Sequence, residues 1–242
     1  MHATYFGANG WLLEFGALRV LVDPWLTGSL DFPPGPWFFQ GELSTSLPLP
    51  EDLDLLLLTQ GLNDHTHPPS LALLPRQLPV LGSASAAQKA RQLGFQQVTA
   101  LRPGELHQLG DLRITATAGA PVPQVENGYL LEHPQGSIYL EPHGYLPADL
   151  PARHLDAVIT PVVDLGLPLA GAFVRGQRVL PELVERFTPR TVLASTAGGD
   201  VQFSGVLSRL LWQQGSADSA AALLPAGSRL IDPQPGVRYS LV

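Results

Sequence analysis

Apolar residues along the chain come mostly in short runs of four to six, broken by Gly, Asn, Asp or Pro. Residues 3–6, 11–15 and 18–22 predict three short strands, with Asn9-Gly10 turning between the first two and Gly16-Ala17 between the last two. Residues 55–58 are four leucines, followed by Thr59 and entered from Asp54. A run this short with no polar position has no face to give to water, so it predicts a strand buried on both sides. It stops at the turn formers Gly61 and Asn63, with Asp64, His65 and His67 beyond them. Pro68-Pro69 and Ser70 then open a short helix through 71–74.

Further on, 83–93 predicts a helix with Ser83 as N-cap and Gly94 as its stop. Strands are predicted at 98–101, 112–118, 129–132, 137–140, 157–160 and 191–194, and helices at 180–187 and 204–212. Residues 31–40 combine three prolines with Phe32, Trp37, Phe38 and Phe39, which excludes both helix and inner strand. Such an aromatic loop either folds back on its own domain or serves as a lid, a lipid-touching flap or a subunit contact. The order of elements, strands with helices and then strands with helices again, predicts an α/β protein. Its architecture would be a four-layer αββα sandwich, two mixed β-sheets packed face to face with helices outside. No repeat or linker is visible, so a single domain over 1–242 is expected.

Composition narrows the function classes. Hydrophobic residues make up 45% and charged ones 14%, a lean balance that suits a two-sheet core under helices. Zero cysteines exclude disulfides, thiolate metal ligands and a cysteine nucleophile. The net charge of −7, with no basic cluster, argues against nucleic acid and anionic membrane as partners. No apolar run reaches the ~18 residues of a membrane span. The N-terminal segment has neither a positive region nor a long apolar run, and the expectation is a cytoplasmic protein.

The candidate chemistry lies after Thr59. A buried strand ending in Thr and followed by a His/Asp-rich turn resembles the metallo-β-lactamase superfamily, whose loop at this point reads HxHxDH. On that pattern Gln60 and Leu62 stand in the places of the first two histidines, while Asp64 and His65 keep theirs. The stretch DPWLTG from Asp23 resembles the ascorbate-lactonase-like branch. Superfamily hydrolases hold two metal ions, and the resemblance implies further ligands in four other turns. Here those turns read Ala8, Gly119-Ala120-Pro121, Glu141-Pro142-His143 and Ser195-Thr196-Ala197.

The metal motif is therefore degenerate. Leucine offers no electron pair, and a carboxamide is a weak neutral donor. Two outcomes stay open: no metal, or one zinc or other divalent ion held by Asp64 and His65 with Glu141 or His143. The bland alternative has Asp64 capping the next helix and His65 donating to a backbone carbonyl. Asp23, Gln60, Asn63, Thr196 and Asp200 are the candidates for lining the cleft. His67 reads as a solvated loop histidine, and His2, His107, His133 and His154 read as surface residues. The leading expectation is a fold whose two-metal hydrolytic site is largely lost, non-catalytic or binding a small molecule or partner at the old cleft. The alternative is a single-metal hydrolase of an ester, lactone or phosphodiester. The Phe32 to Phe39 loop is the candidate for contact within a homo-oligomer.

Overall fold

Two seven-stranded sheets make up most of the computed structural model, which describes residues 1–43, 47–121, 125–195 and 201–242. The first sheet runs Arg238–Ser240, His2–Gly7, Gly10–Phe15, Leu18–Val22, Leu55–Leu58, Val80–Gly82, Val98–Ala100. The second runs Arg229–Ile231, Thr191–Ala194, Ala157–Thr160, Gly136–Leu140, Val125–His133, Leu112–Pro121, Leu106–Leu109. Each mixes antiparallel hairpins with a set of parallel strands.

The uniform leucines of Leu55–Leu58 are explained by what lies on either side. Leu55 and Leu57 enter the core between the sheets with Leu131, Ile138 and Leu140. Leu56 and Leu58 face outward onto Leu71, Leu74, Ala86 and Ala90, which come from the short helix α1 (Pro68–Ala72), the residues just after it and helix α2 (Ala84–Gln92). The second sheet repeats the arrangement. Ala157, Ile159 and Leu193 point inward. Val158 and Val192 point outward to helix α3 (Gly176–Phe187), and α4 (Ala217–Ala221) adds Ala220 to that outer layer. The order is helix, sheet, sheet, helix, as the pattern predicted.

Helix α2 begins at Ser83, whose side chain accepts from the Ala86 N–H, and ends before Gly94 at φ +91°. Two expectations need correction. Residues 204–212 are not a helix: Val201–Ser204 pairs with Phe39–Leu43, Gly205 turns at φ +95°, a short 3₁₀ turn covers Leu207–Arg209, and Trp212–Gln214 joins a small sheet with Asp164–Leu167. Pairing partners distant in sequence override the local helical pattern there. The aromatic stretch is a loop only at its tip. Its flanks, Ser29–Phe32 and Phe39–Leu43, form a hairpin in which Phe39 stacks on Phe203 at 5.2 Å. Among the described residues no helix is long and apolar enough to cross a membrane.

The sheets are tied together where the site lies. Asn127 N–H of the second sheet donates to Thr59 O of the first at 3.1 Å, and the Tyr129 hydroxyl donates to Leu58 O at 3.0 Å. Parallel pairing puts the carboxyl ends at Val22 and Leu58 on one edge of the first sheet and those at Leu140, Thr160 and Ala194 on one edge of the second, the usual place for ligand-binding groups.

Candidate functional site

Asp23 follows directly on Leu18–Val22 with φ +39°, a conformation that Asp tolerates better than most residues. It is buried, and three groups converge on its carboxylate. Thr59 N–H donates to Oδ1 at 2.8 Å, the Thr59 hydroxyl donates to Oδ2 at 2.5 Å, and His65 Nδ1 lies 2.7 Å from Oδ2. A carboxylate holding one imidazole nitrogen fixes the ring and aims the other nitrogen. That other atom, His65 Nε2, faces Asp64 Oδ2 at 3.2 Å, Gln60 Nε2 at 3.2 Å and Asn9 Nδ2 at 3.3 Å.

Gln60 reaches across to the second sheet. Its amide donates to Glu126 Oε2 at 2.7 Å, and the same oxygen lies 2.8 Å from His143 Nδ1. Glu141 stands next to this pair and is fixed by the backbone: the N–H groups of Tyr145 and His143 donate to its Oε2 at 2.6 and 3.1 Å, and Ala120 N–H reaches Oε1 at 3.3 Å. The rings of His65 and His143 stack with centroids 5.3 Å apart, which brings both halves into one cluster. Glu126 and Glu141 are 0% exposed. No Lys or Arg forms an ion pair with Asp23, Asp64, Glu126 or Glu141 among the described residues.

This packing sets the protonation states. Burial pushes Glu126 up to about 7, only partly offset by the charge of His65 and the hydrogen bond from Gln60. Burial also pushes Glu141 well above the carboxylate range, and the neighbouring Glu126 charge pushes the same way. His143 is held down to about 4 by burial and then by the charge of His65. Burial works against a charged His65 too, but Asp64 and Asp23 on either side raise it well above the usual histidine value. Asp64, despite its own burial cost, is held low by His65.

Of the residues singled out from sequence, Asp23, Gln60, Asp64, His65, Glu141 and His143 meet here. Asn63 does not take part in the network. Its side chain accepts from Lys89 Nζ at 2.6 Å and donates to Asp31 O at 3.0 Å, pinning the turn to α2 and to the aromatic hairpin. Thr196 and Asp200 lie outside the described residues. The bland alternative fails in detail: the N-cap of α1 is His67, not Asp64, and His65 bonds side chains, not a carbonyl. His67 is itself buried, bonded to Ser70 Oγ at 2.8 Å and Ser29 O at 3.0 Å. Glu126 and Asn9 escaped the sequence reading. Asn9 reads as a turn former, and Glu126 lies in a strand of mixed polarity, VENGYLLEH, where nothing in the spacing marks it; the available signal was Gly128, where a Cβ would lie 2.6 Å from Thr117 Oγ1 and 3.3 Å from Glu141 Cγ.

The beta-lactamase superfamily domain model matches residues 2–195. The chain belongs to this superfamily. No curated protein sequence matches this superfamily member, but solved structures do. An isothiocyanate hydrolase from Delia radicum gut bacteria superposes with a TM-score of 0.70 at 15% identity, over 99% of this chain and 98% of that one. Igni18, a metallo hydrolase from Ignicoccus hospitalis, gives 0.64 at 16% identity, over 99% and 98%. CmlA, a diiron beta-hydroxylase from Streptomyces venezuelae, gives 0.58 at 20% identity, over 82% of this chain and 45% of that one.

Members of such a fold commonly bind metals, and the donor set here fits a cation. Ligand atoms of Asp64, His65 and His143 lie within 4.8 Å of one another, as do those of Glu126, Glu141 and His143. Asp64 Oδ1, Glu126 Oε1 and Gln60 Oε1 are buried without a hydrogen-bond partner among the described residues. Oxygen-rich donors with imidazole suit zinc, iron or manganese.

Proposed function

We propose that this superfamily member is a metal-dependent hydrolase working with one divalent cation, zinc or a similar ion, in place of a pair. The observation that carries the reading is the burial of Glu126 and Glu141 side by side, 0% exposed and with no Lys or Arg partner among the described residues. Hydrogen bonds satisfy part of each carboxylate, but burying two acids with no Lys or Arg charge beside them still costs several kcal/mol, which an abandoned site gains nothing by keeping. Where a second ion would need donors, Ala8, Leu62, Gly119 and Ala120 carry no side-chain ligand atom. Esters, lactones and phosphodiesters are the proposed substrate class, and the hydrolase names of two structural neighbours support the reaction type.

A bound cation would supply Lewis-acid polarisation of a carbonyl or phosphoryl oxygen. Three of the five donors Asp64, His65, Glu126, Glu141 and His143 would hold it, leaving the others to handle protons. Asp23 and Thr59 keep the His65 ring in place, and Asn9 and Gln60 define the position of its Nε2. The test is elemental analysis of protein purified without chelator, with p-nitrophenyl acetate, a simple lactone and bis(p-nitrophenyl) phosphate as substrates. The expected result is bound metal and chelator-sensitive turnover of at least one substrate. Absence of both would favour the non-catalytic reading, a ligand- or partner-binding cleft on the same fold.

A further inference from the structure

We propose that the cation is held from the second sheet, by Glu126, Glu141 and His143, and not by Asp64 and His65 at the end of the first. The proposal rests on the one-cation reading above and assigns the site within it. Asp23, Asp64 and His65 then form a separate, proton-handling half of the cluster.

Each ring nitrogen of His65 has a carboxylate partner, Nδ1 in Asp23 and Nε2 in Asp64, whereas the one carboxylate described at His143 is Glu126, itself a member of the second-sheet set. Nδ1 is held by Asp23 and Thr59, and Nε2 is met by the side chains of Asn9, Gln60 and Asp64. The second-sheet set is differently placed. Its three ligand atoms lie within 4.8 Å of one another, and all three residues are more than nine-tenths buried. Glu141 is already oriented by backbone N–H groups, so little ordering remains for it on binding. Glu126 Oε1 has no partner among the described residues. Gln60, 0% exposed, donates to Glu126 Oε2 and leaves its own Oε1 buried and unpartnered beside the set.

Two glycines make room for this arrangement. A Cβ at Gly119 would lie 2.9 Å from the backbone oxygen of Glu126, and one at Gly128 would lie 2.6 Å from Thr117 Oγ1 and 3.3 Å from Glu141 Cγ. Gly119, where the resemblance implies an imidazole in a turn, lies instead within the strand Leu112–Pro121, and its missing side chain lets the Glu126 strand approach. The lost ligand is replaced by a carboxylate from the neighbouring strand. Two carboxylates and one imidazole form a harder donor set than a histidine-rich one and suit Mn²⁺ as well as Zn²⁺.

The experiment titrates Mn²⁺ and Zn²⁺ into wild type, E126Q, E141Q and D64N, with circular dichroism confirming that each is folded. E126Q and E141Q should weaken binding by about 100-fold or more, whereas D64N should stay within about threefold of wild type. Should the Glu variants fail to fold, anomalous diffraction from wild-type crystals soaked in Mn²⁺ gives the answer directly. The peak is expected within about 2.0–2.6 Å of carboxylate oxygens of Glu126 and Glu141. A peak on Asp64 and His65, or loss of binding in D64N with E126Q unaffected, would overturn the assignment while leaving the one-cation reading intact. No binding by wild type would overturn both.

Discussion

Asp23 illustrates how much of this site depends on one side chain. It accepts from Thr59 twice and holds His65, all out of contact with water. Asp23→Asn removes the charge and forces an amide N–H against one of these donors. The expected cost is about 2–4 kcal/mol in urea unfolding, with the turn at 61–65 loosened. An unchanged midpoint would mean that the network does not hold the turn. Glu126 should behave in the opposite way. Its folded value of about 7 lies above the usual 4.5, so the metal-free folded state binds more protons than the unfolded chain between those values. Its stability contribution therefore falls as pH rises from 4.5 to 7 and stays low above. His143, held at about 4, acts in reverse and costs stability as pH falls below 6.5. The difference between wild type and Glu126→Gln isolates the first effect. Metal-free E126Q should be more stable at pH 8, by on the order of 1–3 kcal/mol, and should show no such gain at pH 4. A variant equally stable or weaker at pH 8 would contradict the burial cost assigned to a charged Glu126. At this scale Asp64 and His65 were legible because a known motif marks them. Glu126 was not, because its partners Gln60, Glu141 and His143 are brought to it only by the pairing of strands and the stacking of sheets.

Among the elements, the leucine strand and α2 were readable from local pattern alone. Burial on both faces leaves no polar position, and Ser83 and Gly94 punctuate the helix whatever lies around it. The stretch at 204–212 was not readable, since its apolar spacing suits a helix but Val201–Ser204 and Trp212–Gln214 find partners more than forty residues away in sequence. The close approach of Gly119 to the Glu126 strand is also invisible in one dimension. Gly119→Ala would place a Cβ 2.9 Å from a backbone oxygen, which cannot move as a flexible side chain would. The expected outcome is a loss of about 1–3 kcal/mol together with weaker cation binding, read by thermal unfolding with and without Mn²⁺. Wild-type stability and affinity in G119A would show that the strand has room to spare.

Across the whole molecule, two sheets with a shared core bring loops from residue 9 to residue 143 into one buried cluster, tied across the sheets by the Asn127 to Thr59 hydrogen bond. The layered architecture was legible because the inner strands, such as Leu55–Leu58 and Ala157–Thr160, carry no polar face and so call for cover on both sides. The cation chemistry was only half legible, because a ligand set is a property of the assembled loops. Bound-metal stoichiometry tests the central claim most directly, measured by elemental analysis of chelator-free protein against its concentration. One divalent ion per chain is expected, removed by chelator and restored by Mn²⁺ or Zn²⁺. Two tightly held ions per chain, or none under any loading condition, would contradict that claim.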